Sequence, residues 1–273
     1  MSIRAISIMY HDVVAAAGDH EASGFPGTDA ALYKLDRQQF AAHLRAIAGR
    51  VQADPITASP RLAENNGVRM PLLITFDDGG LSAYTHIADM LEEHNWRGHF
   101  FVTTDYIGAP SFLNREQIRE LDARGHIIGS HSCSHPMRMS RCPWPQMLRE
   151  WKESVAVLSE ITGKPVKIAS VPGGHYSRKV AATASLAGIE TLFTSEPATK
   201  GRVVDDCLVL GRYAIQRWTS PEMTAAIANG EIAPRLRQTL LWNAKKVTKT
   251  FGGEYYLKIR KSLLERAGPA AGE

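Results

Sequence analysis

Short apolar segments alternate with amphipathic segments along most of this chain. The apolar segments are rich in β-branched residues and predict strands at residues 3–9, 71–76, 99–103, 126–129, 166–170, 190–194 and 208–215. Between them, helical periodicity predicts helices that begin at residues 36 and 220 and others at 81–94, 114–124, 145–162 and 177–187. The alternation is typical of β–α units around a largely parallel sheet, with about seven or eight strands. No strand pattern follows residue 234, where two helical stretches are separated by a pair of glycines.

Composition narrows the class of protein further. The chain has 273 residues, of which 44% are hydrophobic, and this excludes disorder, collagen and coiled coil. A single α/β barrel commonly takes about 250 residues, so the length fits one large domain with an appendage. We therefore divide the chain into a catalytic domain at residues 1–234 and a basic helical C-terminal extension at residues 235–273.

Charge distinguishes the two parts. Residues 235–266 contain nine basic and two acidic residues, a balance of +7, whereas the whole chain carries +4, which leaves −3 for the rest. Either the extension presents a solvated basic face, or it contacts phosphate or an anionic membrane surface. No nucleic-acid-binding motif accompanies it, so nucleic acid is not an expected partner.

Cysteine usage and the N-terminus bear on the compartment. Three cysteines are an odd number in a large chain and argue against a disulfide framework. The first residues lack the apolar stretch of a secretory signal, and no apolar segment is long enough to span a bilayer. We therefore expect a cytoplasmic protein, with a peripheral position at the inner membrane face as the alternative that the basic extension suggests.

Polar residues follow four of the predicted strands. These strand ends carry Tyr10-His11-Asp12, Asp77-Asp78-Gly79-Gly80, His131-Ser132-Cys133-Ser134-His135 and Pro172-Gly173-Gly174-His175. Functional groups of α/β proteins gather where strands end, so we expect these segments to share one site.

The acidic and histidine-containing segments complement each other chemically. Asp77 and Asp78 cannot both be ionised and buried without a cation, because like charges in a low dielectric repel strongly. His131 and His135, four residues apart, can converge with one aspartate to form a set that suits zinc or a related divalent metal and leaves a position open for water. The other aspartate is then free to act as a base.

These segments carry a family resemblance. Thr75-Phe76-Asp77-Asp78-Gly79 followed by His131-Ser132-Cys133-Ser134-His135 resembles the polysaccharide deacetylases of carbohydrate esterase family 4, the NodB-homology enzymes. The resemblance implies a distorted (β/α)7-type barrel and N-deacetylation of amino sugars. It also implies that Asp77 is the general base and that Asp78, His131 and His135 hold one divalent metal, Zn²⁺ first and Co²⁺ or Ni²⁺ as alternatives.

Such chemistry needs an oxyanion site and a proton donor as well. A backbone N–H in the turn at Gly173 and Gly174 can hold the tetrahedral oxyanion, because glycine permits close approach. His175 lies beside this turn as a candidate substrate contact. A protonated histidine can then deliver a proton to the leaving amine. Because the family's late histidine motif is absent after residue 175, His11 is the first candidate for this role and His175 the second.

One further departure concerns an arginine. The family's Arg-x-Pro-x-Gly motif appears as Ser170-Val171-Pro172-Gly173-Gly174, so Ser170 replaces the arginine that pairs with the base. Asp77 is then left either with a raised pKa or with a substitute cation, and Arg212, which emerges after Leu208 to Leu210, is our candidate for that cation.

The sequence thus predicts a metal-dependent hydrolase that deacetylates an N-acylated amino sugar, nucleotide- or lipid-linked, in the biosynthesis of an exopolysaccharide or glycoconjugate. Two alternatives stay open: a deformylase or other amide or imide hydrolase on the same fold, and a noncatalytic sugar-binding protein.

Overall fold

The computed structural model describes residues 3–52, 54–57 and 70–251 of the chain. Its strands are β1 (Ile6–Tyr10), β2 (Val13–Val14), β3 (Leu35–Asp36), β4 (Leu72–Phe76), β5 (His99–Val102), β6 (Ile127–Ser130), β7 (Ile168–Ser170), β8 (Thr191–Phe193), β9 (Arg202–Val204), β10 (Cys207–Leu210) and β11 (Tyr213–Ala214). The part of the predicted extension from residue 252 onward lies outside the described residues, and so does any second helix there.

Helices follow most of the strands. They are α1 (Thr28–Ala31), α2 (Arg37–Arg50), α3 (Ala88–Glu92), α4 (Arg115–Ala123), α5 (Trp144–Thr162), α6 (Arg178–Leu186), α7 (Pro221–Ala228) and α8 (Ile232–Phe251). The starts of α2, α4 and α7 are fixed by side chains of Asp36, Asn114 and Ser220, each of which accepts a hydrogen bond from a backbone N–H of the first turn. These three residues are where the sequence predicted the helices to begin.

The main sheet has the order β11-β1-β4-β5-β6-β7-β8-β10-β9. Every neighbouring pair is parallel except β9 and β10, which are antiparallel. Because all strands of this sheet except β9 run parallel, their carboxyl ends meet at one edge of the sheet, which we call the catalytic edge. The sheet thereby brings the ends of β1, β4, β6 and β7 together.

Two residues bring the ends of this sheet together. Strand β10 pairs with β8, and β11 pairs with β1 at the far end of the order, yet only Gly211 and Arg212 separate β10 from β11. Three Cα steps cover at most about 11 Å, so the sheet must curl until β8 and β1 are close neighbours. The result is the distorted barrel of mainly parallel strands that the family resemblance implied.

The single strand predicted at residues 208–215 is therefore wrong, since the chain is divided there into β10 and β11. A Cβ atom on Gly211 would lie 2.3 Å from the carbonyl oxygen of Glu196, so the backbone bends in a space too narrow for a side chain. The predicted helix at 81–94 is also shorter, because a π-helical turn (Ala83–Ile87) precedes α3. Strands β2, β3 and β9 were not predicted.

Alternation along the strands separates two apolar layers. Ile74 and Phe76 of β4 face the helices, where they join a cluster with Phe40, Leu44 and Ile47 of α2. The intervening positions face the barrel interior, which holds a smaller apolar cluster of Ala5, Leu73, Phe101, Ile168, Phe193 and Leu210. Positions 77, 170 and 212 continue the interior faces of β4, β7 and β10, so their side chains point into the upper part of the barrel.

Candidate active site

The catalytic edge gathers three potential metal ligands. The Nε2 atom of His131 lies 3.4 Å from Oδ1 of Asp78, and the Nε2 atom of His135 lies 3.6 Å from the same oxygen. One ligand atom from each residue can be chosen so that all lie within 4.8 Å of one another. Two imidazoles and one carboxylate at these separations can hold a divalent cation between them.

The ring nitrogens of His131 are assigned by their partners. Its Nδ1 lies 3.1 Å from the carbonyl oxygen of Ser170, and a carbonyl can only accept, so Nδ1 carries the proton and donates. Nε2 is then the ring nitrogen that faces the ligand cluster. A histidine that holds a metal almost always donates its other ring N–H in this way, so the donor set fits a metal.

The backbone is strained where it presents these ligands. Asp78, Ser132 and His135 have φ values of 78°, 66° and 56°, in the left-handed region that non-glycine residues rarely occupy. Each such residue costs about 1–3 kcal/mol and persists only where surrounding contacts fix it, which is common at functional sites. Two of the three ligands are thus held at an energetic cost.

Glu150 of α5 supplies part of that fixation. Its buried carboxylate accepts hydrogen bonds from the backbone N–H of Cys133 (3.0 Å) and of Ser134 (2.9 Å) and from the Ser134 hydroxyl (2.6 Å). The loop between the two histidines is therefore tied to a helix. The sequence analysis did not identify this role of Glu150. An acidic residue on the apolar face of a predicted helix could have indicated it, because buried acidic residues are rare unless they are paired.

Asp77 forms a bidentate pair with Arg212. Nη1 of the arginine lies 2.6 Å from Oδ1 and Nη2 lies 2.7 Å from Oδ2, and the guanidinium is fully buried. Burial on its own raises the pKa of Asp77, but the charges of Arg212 and His131 outweigh it, so that the pKa lies well below its usual value. The contact expected between Arg212 and the carboxylate is present, and the alternative of a raised pKa does not apply.

Further contacts fix the guanidinium. Nε of Arg212 donates to the carbonyl oxygen of Thr194 (3.2 Å), and Nη1 also lies 3.2 Å from Oγ1 of Thr75. The rings of Phe101 and Phe193 flank it, with centroids 5.6 and 6.0 Å from the guanidinium carbon. Arg212 is thereby held in one orientation toward Asp77.

Three comparisons with known proteins bear on this site. The family model for "Polysaccharide deacetylase" matches residues 65–192. A chitooligosaccharide deacetylase of Sinorhizobium fredii is 30% identical over 162 residues, which are 58% of this chain and 71% of that protein. The chain belongs to the polysaccharide deacetylase family. Enzymes of this family are hydrolases of amide bonds in N-acetylated sugars, the class predicted from the sequence.

Other relatives agree with this membership. The putative polysaccharide deacetylase YxkH of Bacillus subtilis is 26% identical over 197 residues, 71% of this chain and 68% of the relative. The chain covers 46% of each of two further bacterial relatives. The solved structure of the Streptococcus pyogenes deacetylase PplD in complex with acetate aligns with a TM-score of 0.66 at 19% identity, over 81% of this chain and 96% of that one. The barrel is therefore the polysaccharide deacetylase fold.

His11 follows β1 at the catalytic edge. Its half-buried ring packs on Tyr33, with centroids 4.6 Å apart. Burial acts to raise the pKa of Asp78, but the hydrogen bond from His131 and the charge of the nearby His11 outweigh it and lower that pKa. Among the described residues, Nδ1 of His11 is buried and has no hydrogen-bond partner. The ring thus lies near the ligand cluster with a polar atom unused.

The turn at Gly173 and Gly174 packs against another segment of the protein. Gly173 and Gly174 have φ values of 62° and 69°, and a Cβ atom on Gly173 would lie 2.5 Å from the carbonyl oxygen of Met137. Gly173 therefore permits the turn to pack on the segment after His135. His175 follows the turn and is half-buried.

A long loop between β2 and β3 also reaches the site. The ring of Phe25 packs on His135 with centroids 4.8 Å apart. The buried ammonium group of Lys34 donates to the carbonyl oxygens of His20, Ser23 and Phe25 at 2.5–2.7 Å. Sequence reasoning missed both Phe25 and Lys34, since neither belongs to a motif.

Proposed function

We propose that this protein is a metal-dependent N-deacetylase of an N-acetylated amino sugar in polysaccharide or glycoconjugate biosynthesis. The observation that carries the proposal is the convergence of Asp78, His131 and His135 beside the buried pair of Asp77 and Arg212. The donor set, with two imidazoles and one carboxylate, suits Zn²⁺, and Co²⁺ or Ni²⁺ can replace it. When bound, the metal lowers the pKa of a bound water and polarises the substrate carbonyl.

In this proposal Asp77 accepts the proton of the attacking water. Each carboxylate oxygen has two acceptor sites. Oδ1 of Asp77 lies within hydrogen-bond distance of Nη1 of Arg212 and of the Ser170 hydroxyl, whereas for Oδ2 the described side chains supply only Nη2 of Arg212. Oδ2 is therefore the oxygen with a free site, and we assign it as the proton acceptor. Arg212 prevents the carboxylate from rotating away.

His11, with its unused Nδ1, is the proposed proton donor to the leaving amine. The backbone N–H groups at Gly173 and Gly174 are the proposed oxyanion contacts, and His175 is a proposed substrate contact. These assignments extend the sequence prediction, and each is a separate target for mutation.

Acetate release tests the proposal. Purified protein is incubated with N-acetylated amino-sugar oligomers and nucleotide- or lipid-linked sugars, with Zn²⁺, Co²⁺ or Ni²⁺ added. We expect Asp78→Ala and His131→Ala to lose both metal and activity. Asp77→Asn should keep its metal but lose about 10²–10⁴-fold in turnover, because it removes the base.

The exposed Asp206→Asn is the matched control, since it neutralises an aspartate far from the cluster in the fold. Unchanged acetate release in Asp78→Ala or His131→Ala would contradict the proposed site. Loss of metal in Asp77→Asn equal to that in Asp78→Ala would contradict its assignment as base.

We further infer a cytoplasmic location with a peripheral position at the inner membrane face. Helix α8 exposes four apolar side chains, Ile232, Leu236, Leu240 and Leu241, and the same helix carries Arg235 and Arg237. Apolar and basic groups on one helix favour an anionic lipid surface. In the part of the chain that the structure describes, no helix is long and apolar enough to cross a membrane.

Vesicle sedimentation tests the membrane contact. We expect binding to vesicles that contain phosphatidylglycerol, reduced by salt, and weaker binding by a Leu236→Ser/Leu240→Ser variant. Absence of binding to these vesicles at low salt would contradict this inference, and recovery of the protein outside the cytoplasm in cell fractionation would contradict the location.

A further inference from the structure

Ser170 connects the proposed base to a proposed metal ligand. It ends β7 with its side chain fully buried. Its Oγ lies 3.0 Å from Oδ1 of Asp77 and 2.5 Å from Nδ1 of His131. One hydroxyl oxygen therefore touches both residues, at the position where the family motif has arginine.

The directions of these two hydrogen bonds follow from proton counting. Nδ1 of His131 carries a proton, because it also lies beside the Ser170 carbonyl oxygen, which can only accept. The Ser170 hydroxyl must then accept from Nδ1, and its single hydrogen remains available for Oδ1 of Asp77. The order of donation is fixed as His131 to Ser170 to Asp77.

We propose that Ser170 is a positioning residue that orients the metal ligand and the base together. This inference rests on the proposed function and deepens it. By accepting from Nδ1, the hydroxyl keeps the Nε2 lone pair of His131 directed at the cation site. By donating to Oδ1 of Asp77, it occupies that oxygen and leaves Oδ2 to face the attacking water.

Arginine at this position could not act in the same way. A guanidinium has five donors and no acceptor, so it could not accept the Nδ1–H of His131. In this chain Arg212 supplies the positive charge to Asp77 from the link between β10 and β11. Serine at 170 is free to provide an uncharged group that both accepts and donates. The two tasks of holding the base and holding the ligand ring are thereby divided between two residues.

Substitution of the hydroxyl tests the inference with Co²⁺ as the probe. In Ser170→Ala we expect Co²⁺ affinity, measured by chelator competition, to fall about tenfold, at the low end of such effects because the Ser170 carbonyl still accepts from His131. The visible absorption of bound Co²⁺ should change, and kcat should fall more than KM changes. Ser170→Thr keeps a hydroxyl and should recover most of the affinity and the spectrum.

Ser7→Ala is the matched control, because Ser7 is also fully buried on a strand and its hydroxyl has no partner among the described residues. It should leave Co²⁺ affinity and turnover at wild-type values. Wild-type affinity, spectrum and kcat in Ser170→Ala would overturn the inference, and so would an equal loss in the alanine and threonine variants, which would indicate packing alone.

A measurement on the unmodified chain keeps the inference testable if the variants do not fold. Two-bond ¹H–¹⁵N spectra of the metal-free protein should show a proton on Nδ1 of His131, and an unprotonated Nδ1 would overturn the inference. Failure of the proposed function is distinguishable, because the wild type would then release no acetate. If only the inference fails, the wild type stays active and Asp77→Asn stays inactive.

Discussion

Two groups of buried or half-buried histidines in this barrel differ in what their ring nitrogens contact. His131 and His135 at the catalytic edge direct Nε2 toward Asp78. His43 and His126, packed between strands and helices, use both ring nitrogens in hydrogen bonds. The first group, which we call the edge group, is arranged around a space for a cation. The second, which we call the interior group, already has both ring nitrogens hydrogen-bonded to other protein groups.

Burial alone does not distinguish the groups. It lowers the pKa of His135 to about 4, with the charge of His131 acting in the same direction, and it likewise lowers the pKa of His99 and of His126 to about 4. All of these rings are therefore neutral at pH 7. The hydrogen-bond partners of each ring decide its role. A neutral ring whose nitrogen faces a carboxylate can bind metal, whereas a ring that is hydrogen-bonded to backbone and helix groups is structural.

The largest effect should come from unpairing the charges at the catalytic edge. Arg212→Met leaves the carboxylate of Asp77 buried without its counterion, which should lower the free energy of unfolding by about 3–5 kcal/mol. Arg212→Met/Asp77→Asn removes both charges and should recover most of this loss. Urea unfolding of the metal-free proteins measures both values, and a loss below about 1 kcal/mol in the single variant would show that the pair is not needed for stability.

Metal should stabilise the folded protein through the edge group, and the interior group should not contribute to this effect. At a free Zn²⁺ concentration of 100 Kd, the free energy of unfolding should rise by about 2.7 kcal/mol, and a chelator should reverse this. Asp78→Asn should lose the stabilisation, whereas His126→Gln should retain it. Thermal or urea unfolding with and without Zn²⁺ is the measurement. A zinc response that depended equally on His126 would abolish the distinction between the groups.

Acid should reveal two of the buried histidines, His99 and His126. The folded pKa of His99 and of His126, about 4, lies below the unfolded value near 6.5, so the unfolded chain binds more protons between these values. Their contribution is fully present above pH 6.5 and is lost as the pH falls toward 4. Each residue should contribute a slope of about 1.4 kcal/mol per pH unit in this window.

Urea unfolding at several pH values measures the slope, and His126→Gln should reduce it by the share of one histidine. Chelator is present throughout, so that metal binding adds no pH dependence. An unchanged slope would mean that His126 is protonated in the folded protein.

The smallest effect concerns the support of the metal-ligand loop. Glu150→Gln keeps an acceptor for Cys133 and Ser134 but removes the charge, and we expect a loss of about 1 kcal/mol. Hydrogen exchange at the amides of Cys133 and Ser134 should become faster. The exposed Glu153→Gln on the same helix is the control and should change neither quantity. Equal exchange rates in the two variants would exclude Glu150 as the anchor of this loop.

The sequence was sufficient to predict which residues meet at the end of the sheet, because that depends on the order of the strands. Because parallel strands end at one edge, residues after separate strands could be expected to meet, and Asp78, His131 and His135 do so. Arg212 was placed correctly beside Asp77 for a chemical reason, since a buried carboxylate without its family arginine needs another cation.

What the sequence did not predict depends on distances across the barrel. The double contact of Ser170 requires β4, β6 and β7 to curl toward one point, and no local pattern encodes that curvature. Glu150 is recognisable only once α5 packs beneath the histidine loop. The division between β10 and β11 was missed because apolar residues lie on both sides of Gly211 and Arg212, so that the whole segment resembles one strand.

The link of Gly211 and Arg212 also has a consequence for synthesis. The same two residues bring the ends of the sheet together and deliver the guanidinium to Asp77, although the carboxylate is made 135 residues earlier. A nascent chain that has not reached residue 212 contains the aspartate, both histidines and most strands, but not their counterion. Completion of the barrel and assembly of the reactive centre are therefore one event, so a ribosome-bound fragment that ends before this link should be inactive.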